Sequence, residues 1–363
     1  MGMMKGRSVS VKGLDPSQQS TKRAISVRWT AYAFLFLALS CGVPLFIYRQ
    51  VGAQSFSINE HLWSWPVLSA LAMLLTIYFV SDALRLHFIL KASGHNLAAG
   101  NLGKLTFINI LFSNITPMAT GGGFAQVWFL YRRGVSIGTA TAATTIRTFI
   151  AMFLIFLPVP FLIAGLPYFR DGGMMSSIGW ILASVAIGYL ACFLVLLFRL
   201  RWLLRLFDLT ARGLAWLRLT SPERTRRIKA KFLREAVRFS RCLKIYVQGD
   251  RKDVFLSVFF TFIFLLSLFS FPSVLFWGAG YQTNYFTTTG LLVVSTCIMY
   301  FAPSPGGAGF AEGVFGLFFA SLVHASELVG IILVWRFLTI YLGMLIGVPV
   351  TLHELARRRM GNG

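Results

Sequence analysis

Acidic side chains are scarce in this chain of 363 residues, where 12 Asp and Glu stand against 34 Lys and Arg. The four charged types together make up 13% of the sequence, about half the share usual in soluble domains. With 56% hydrophobic residues and a mean hydropathy of +0.70, that deficit excludes a soluble domain and points to an integral membrane protein. Cysteine and histidine are also sparse. Cys41, Cys192, Cys242 and Cys297 lie far apart, no C-x-x-C pair exists, and the five histidines are scattered. Neither a disulfide framework nor a metal site is expected. The apolar runs hold no paired carboxylates and no Ser/His arrangement, which argues against an enzyme. No G-x-x-x-x-G-K-[ST] loop is present to seat ATP, and no cofactor is expected.

The charge that is present is positive, with a formal net of +22. It gathers between hydrophobic runs and no aromatic-basic module accompanies it, so nucleic acid is not the expected partner. Anionic lipid on the cytoplasmic leaflet is. Residues 1–28 form a basic tail, followed by an apolar run without a small-residue cleavage site, which reads as an uncleaved first span. Apolar runs of bilayer-crossing length fall at 29–48, 67–90, 138–165, 178–200, 254–278 and 329–352.

Two further apolar regions, 105–131 and 286–323, are broken by nearly the same motif. One reads Pro117-Met-Ala-Thr-Gly-Gly-Gly-Phe-Ala-Gln126, the other Pro303-Ser-Pro-Gly-Gly-Ala-Gly-Phe-Ala-Glu312. Aligned without a gap, Pro117 meets Pro303, Gly121 meets Gly307, Gly123-Phe124-Ala125 meets Gly309-Phe310-Ala311, and Gln126 meets Glu312. Broken backbone at membrane depth is tolerated only when buried in protein or lining a cavity. A matched pair of breaks is a pointer to a transporter-type site.

Charge flanks set the expected course of these regions. Lys91 and Lys104 precede the first and Arg132-Arg133 follow it, so both of its ends are assigned to the cytoplasm. The expected fold is therefore an all-α polytopic membrane protein with six full spans and two re-entrant helical hairpins. Span, hairpin, span occurs at about 67–165 and again, inverted, at about 254–352. The alternative, two kinked full helices, would place Arg132 and Arg133 outside. A basic linker at 199–253 carries Ile228, Phe232, Ala236, Phe239, Leu243 and Tyr246 at helical spacing, an amphipathic helix on the inner leaflet. A short basic tail at 356–363 puts the second terminus in the cytoplasm as well.

On these motifs, with Asn114-Ile-Thr-Pro117 and Leu130-Tyr-Arg-Arg-Gly-Val135, the chain resembles the transmembrane part of the lysylphosphatidylglycerol synthase family over residues 29–355. That family is flippase-like. The resemblance implies movement of a lipid, anionic or sugar-linked, or of its head group between leaflets of the inner (plasma) membrane. It also implies a separate lipid-modifying enzyme as a partner. The family's large synthases add an aminoacyl-transferase domain after the membrane part. This sequence stops at Gly363, so a stand-alone member without lysine transfer is expected. Many members carry Glu at the position of Gln126.

Ionisable residues within spans are functional candidates. Arg147 and Arg336 occupy matching places after the two motifs, and a guanidinium fork suits a lipid phosphate. Alternatively each neutralises a buried carboxylate, with Asp82 and Glu312 nearest. Glu312 is a candidate helix cap, counter-ion or proton site, whereas Gln126 cannot titrate. Gly121, Gly122, Gly123, Gly306, Gly307 and Gly309, with Pro117, Pro303 and Pro305, form the hairpin tips. These glycines are expected to take backbone conformations other residues resist, to expose N–H groups to an anion, or to pack tip against tip. Thr116, Thr120 and Ser304 add hydroxyls. Asp82 and Arg85 form either a local pair or an inner-face lipid entry. Asn109 and Asn114 are expected to satisfy freed backbone groups, and Gly343 with Gly347 to mark a helix contact. Other inverted-repeat functions in view are an ion-coupled solute transporter and, further off, an enzyme modifying a lipid head group.

Overall fold

The structure, a computed structural model, describes residues 60–169, 174–198 and 243–360. The expected span at 29–48, the tail at 1–28 and most of the basic linker lie outside the described residues. Within them every regular element is a helix. Five stretches are long and apolar enough to cross a membrane: Trp65–Ala92, Ile137–Gly165, Ser176–Phe193, Arg251–Gly278 and Glu327–Ala356. They match five of the six expected spans, and the chain is an all-α multi-pass membrane protein.

Helix α1, Trp65–Ala92, takes Pro66 in its first turn, where the missing N–H has no helical partner to lose. It stops at Gly94, whose φ of +81° lets His95 N–H reach back to the Leu90 carbonyl at 2.9 Å. Two short helices follow, α2 (Ala99–Ile115) and α3 (Thr120–Arg132), then α4 (Ile137–Phe156) and α5 (Val159–Gly165), which continue one another past Pro158. Helix α6 is Met174–Phe198. The second half repeats the order, with α7 (Arg251–Gly278), the short α8 (Tyr285–Met299) and α9 (Phe310–Phe319), then α10 (Ala325–Arg336) and α11 (Leu342–Met360). A π turn at Phe337–Tyr341 joins the last two.

The two helices of the first short pair are not one continuous rod. Lys104, near the start of α2, reaches Glu354 Oε1 at 2.9 Å, and Arg133, just past α3, reaches Glu354 Oε2 at 2.8 Å. Both ends of the pair therefore meet at one carboxylate, and α3 folds back along α2. Helices α1 and α7 run side by side in opposite directions. Lys91 at the end of one pairs with Asp253 at the start of the other at 3.0 Å, and Val67 near the start of α1 lies against Gly278 at the end of α7.

Between apolar helices in lipid, close backbone approach through small residues drives packing. Gly343 and Gly347 of α11 behave as expected: a Cβ at Gly347 would lie 2.6 Å from the Phe107 carbonyl oxygen of α2. Gly290 of α8 lies against Leu162 and Leu166 at the α5 end in the same way. The first arm of each short pair is thus seated on a helix of the other half. An aromatic core around Phe276, Phe315, Phe319 and Trp335 fills the second half. Met73, Phe161, Trp180, Phe259 and Leu345 stand exposed on the outer faces.

Candidate functional site

The two Pro/Gly motifs meet. Pro117 and Pro305 pair as an isolated antiparallel bridge, so the tips pack against each other. Their backbones are built differently. In the second tip Gly306 (φ +59°), Gly307 (+66°) and Gly309 (+86°) take the left-handed region, as glycine can. In the first tip the left-handed residues are Met118 (φ +52°) and Ala119 (+54°), and Gly121, Gly122 and Gly123 lie inside α3. The expectation for that glycine run is corrected. Two of the three serve close approach: a Cβ on Gly122 would sit 1.8 Å from Ser113 Oγ, and one on Gly121 2.8 Å from the Phe112 carbonyl oxygen.

The reason is a shift in helix start. Phe124 is the counterpart of Phe310, the first residue of α9, but α3 already begins at Thr120, one helical turn earlier. Glu312 consequently occupies the third position of its helix. Its Oε2 accepts from Gly309 N–H at 2.7 Å, half of a capping box whose other half a glycine cannot supply. Gln126, its counterpart, lies well inside α3 and caps nothing.

Around the tips stand two buried charge clusters. In the first, Asp82 Oδ1 accepts from Arg85 Nε at 3.0 Å, from Arg85 Nη2 at 2.5 Å and from Arg147 Nη2 at 2.5 Å. Arg147 Nη1 donates to Gln126 Oε1 at 3.0 Å, and Gln126 Nε2 donates to Asn109 Oδ1. This chain of contacts ties α1, α4, α3 and α2 together. In the second cluster Arg336 Nε donates to Glu312 Oε1 at 2.6 Å and Nη2 to the Gly306 carbonyl at 3.3 Å. Asp82, Arg85, Arg147, Glu312 and Arg336 are all 6% exposed or less, so each charge depends on its partners rather than on solvent. The carboxylate-neutralising alternative for the two arginines is the arrangement seen here. Asp82 and Arg85 do pair locally, but Arg147 shares the same oxygen, a junction that spacing along the chain could not reveal.

Between the clusters lies a cavity of about 700 Å³. Both tips line it, through Met118, Ala119 and Gly123 on one side and Ser304, Gly306 and Gly307 on the other. Arg85, Arg147, Gln126 and Arg336 face it with Asn109, Asn114, Thr144 and Thr148, and Phe264, Leu268, Leu292 and Met299 supply apolar wall. Thr116 and Thr120 do not line it. The Thr116 hydroxyl donates to the Phe112 carbonyl and accepts from Gly121 N–H, both at 2.7 Å, and the Thr120 hydroxyl donates to the Pro117 carbonyl at 3.1 Å. Asn114 does satisfy backbone, donating to the Ile110 carbonyl at 2.8 Å, whereas Asn109 serves Gln126 and Ser113 instead. Trp335, beside Arg336, lines the cavity unanticipated, because an apolar aromatic in a span carries no signal of its own. Among the described residues no three His, Cys, Asp or Glu side chains converge as a metal site.

The model of the family described as the lysylphosphatidylglycerol synthase TM region matches residues 31–347. No curated protein matches the chain.

Proposed function

The chain belongs to the lysylphosphatidylglycerol synthase TM-region family, and from that premise we propose that it carries a lipid, or a lipid-linked head group, between the two leaflets. The observation that carries the reading is the cavity between the two tips, with a buried guanidinium from each half facing it. An apolar wall for acyl or prenyl chains beside charged groups for a phosphate suits an amphipathic cargo.

The same reading places the two short helix pairs as re-entrant hairpins, one from each face, and the halves as an inverted repeat. The meeting of Lys104 and Arg133 at Glu354 supports a hairpin that enters and leaves on one side. The antiparallel course of α1 and α7 supports inversion. Positive flanks assign the Glu354 side, and both termini, to the cytoplasm of an inner-membrane protein. In this scheme Arg147 and Arg336 exchange their carboxylate partners for the lipid phosphate in turn. The pairs with Asp82 and Glu312 keep each guanidinium compensated while the cargo is elsewhere. No bond of the cargo is made or broken, and a separate enzyme would modify the head group.

Reconstitution into liposomes with labelled phosphatidylglycerol, aminoacylated phosphatidylglycerol and polyprenyl phosphate tests the proposal. Protein should speed exchange of at least one label between leaflets, and Arg147→Gln or Arg336→Gln should slow it by about tenfold or more, the rate equivalent of one lost charge-assisted contact. Equal rates with and without protein for every label would remove the claim. Unchanged exchange in both variants would remove the role of the arginines.

A further inference from the structure

Resting on the lipid-transport reading of the same cavity, we infer that its cargo carries an anionic phosphate whose oxygens are held by Arg85 and Trp335, with Ser304 from the second tip. Three buried arginines, Arg85, Arg147 and Arg336, stand against two carboxylates, Asp82 and Glu312, which leaves one positive charge uncompensated within these two clusters. Water can satisfy a donor, but it cannot neutralise that charge in a low-dielectric site.

Unpaired hydrogen-bonding groups point the same way. Arg85 turns its Nε and Nη2 edge to Asp82 and lays one face over the Phe264 ring, 3.8 Å from guanidinium carbon to ring centroid. Its remaining nitrogen, Nη1, is buried without a protein partner, as are Trp335 Nε1 and Ser304 Oγ. All three residues line the cavity, and Arg85 and Trp335 are 6% and 4% exposed. A guanidinium and an indole N–H can only donate. The complementary ligand offers acceptor-only oxygens and one negative charge, which describes a phosphodiester head group or a free phosphate anion. One acceptor, Asp82 Oδ2, is also unpaired, but Asp82 does not line the cavity. A head group with net positive charge meets an unbalanced guanidinium here and is disfavoured.

The two phosphate sources are separable with purified protein. Its thermal unfolding midpoint is followed while dioctanoyl phosphatidylglycerol, dioctanoyl phosphatidylcholine or inorganic phosphate is titrated, since a ligand of the folded state raises the midpoint by mass action. Phosphatidylglycerol should give a saturable rise that phosphatidylcholine does not. Arg85→Gln should weaken it about tenfold to a hundredfold, the loss of a hydrogen bond to a charged group, and should erase the preference for the anionic lipid. Trp335→Phe keeps the ring stacked on Phe315 and should cost about threefold to tenfold. If inorganic phosphate alone produces the rise with the same variant dependence, the anion site stands and its source is soluble. An equal response to both lipids without any response to phosphate would overturn the inference. So would wild-type affinity in Arg85→Gln or, should that variant not fold, in Trp335→Phe. Loss of leaflet exchange with Arg85-dependent binding intact would remove the transport reading alone.

Discussion

One oxygen of Asp82 receives two guanidinium groups from two helices. In a span, each of those cations would be costly alone. Replacing Asp82 by Asn keeps the shape and removes the charge, so Arg85 and Arg147 would repel each other at close range. Breaking a buried pair in this way costs about 3–5 kcal/mol. Asp82→Asn should therefore lower the unfolding midpoint of the detergent-purified protein steeply. Ser69→Ala, on an exposed stretch of the same helix with only a local bond to the Pro66 carbonyl, should hardly move it. An unchanged midpoint in Asp82→Asn would mean that the cluster is held by lipid or water rather than by this carboxylate. The unequal pair in the aligned motifs also takes on meaning here. Glu312 both caps α9 and holds Arg336, whereas Gln126 passes one hydrogen bond from Arg147 on to Asn109.

Among the elements, the short helix pair of the first half depends on glycine for contact rather than for unusual backbone. Gly122→Ala places a methyl 1.8 Å from Ser113 Oγ and 2.6 Å from Asn109 Oδ1, and overpacking of this kind costs about 1–3 kcal/mol. Gly123 has open space at its Cβ position, so Gly123→Ala should leave the stability equal or raise it by up to about 1 kcal/mol through helix propensity. Thermal unfolding of the two variants side by side decides the matter, and equal destabilisation would contradict the packing described. Much at this scale was legible in the sequence. Five spans, the two breaks and the Gly343/Gly347 contact follow from apolar length, Pro/Gly placement and small-residue spacing. What escaped was the start of α3, one turn earlier than the aligned motif suggests, because local propensity does not say where a tip will close against another tip. The left-handed Met118 and Ala119 are a consequence, since no glycine stands where that turn needs one.

For the whole molecule, long-range pairing bears on two topologies that composition leaves open. Arg147 with Asp82, an expected pair, and Lys104 with Glu354, which no spacing in the sequence announces, are separated by 65 and 250 residues. The second of these supports the hairpin course proposed for the first short pair. A kinked full span would set Lys104 and Arg133 on opposite sides of a hydrocarbon core about 30 Å thick, which no shared carboxylate could bridge. Single cysteines test this in intact cells, in a background where Cys41, Cys192, Cys242 and Cys297 are replaced by Ser. Cysteines at Lys104 and Arg133 should both resist a membrane-impermeant maleimide until the cells are opened. One at Gln282, in the turn between α7 and α8, should react at once. Reaction of the Arg133 site from outside would restore the kinked helix and with it an unpaired Glu354. Protection of both sites, with Gln282 exposed, would place the first tip as an intrusion from the cytoplasm that meets the second tip at the Pro117–Pro305 bridge. The cavity would then lie between two incomplete crossings, where a head group has protein polar groups on every side and its chains keep an apolar wall.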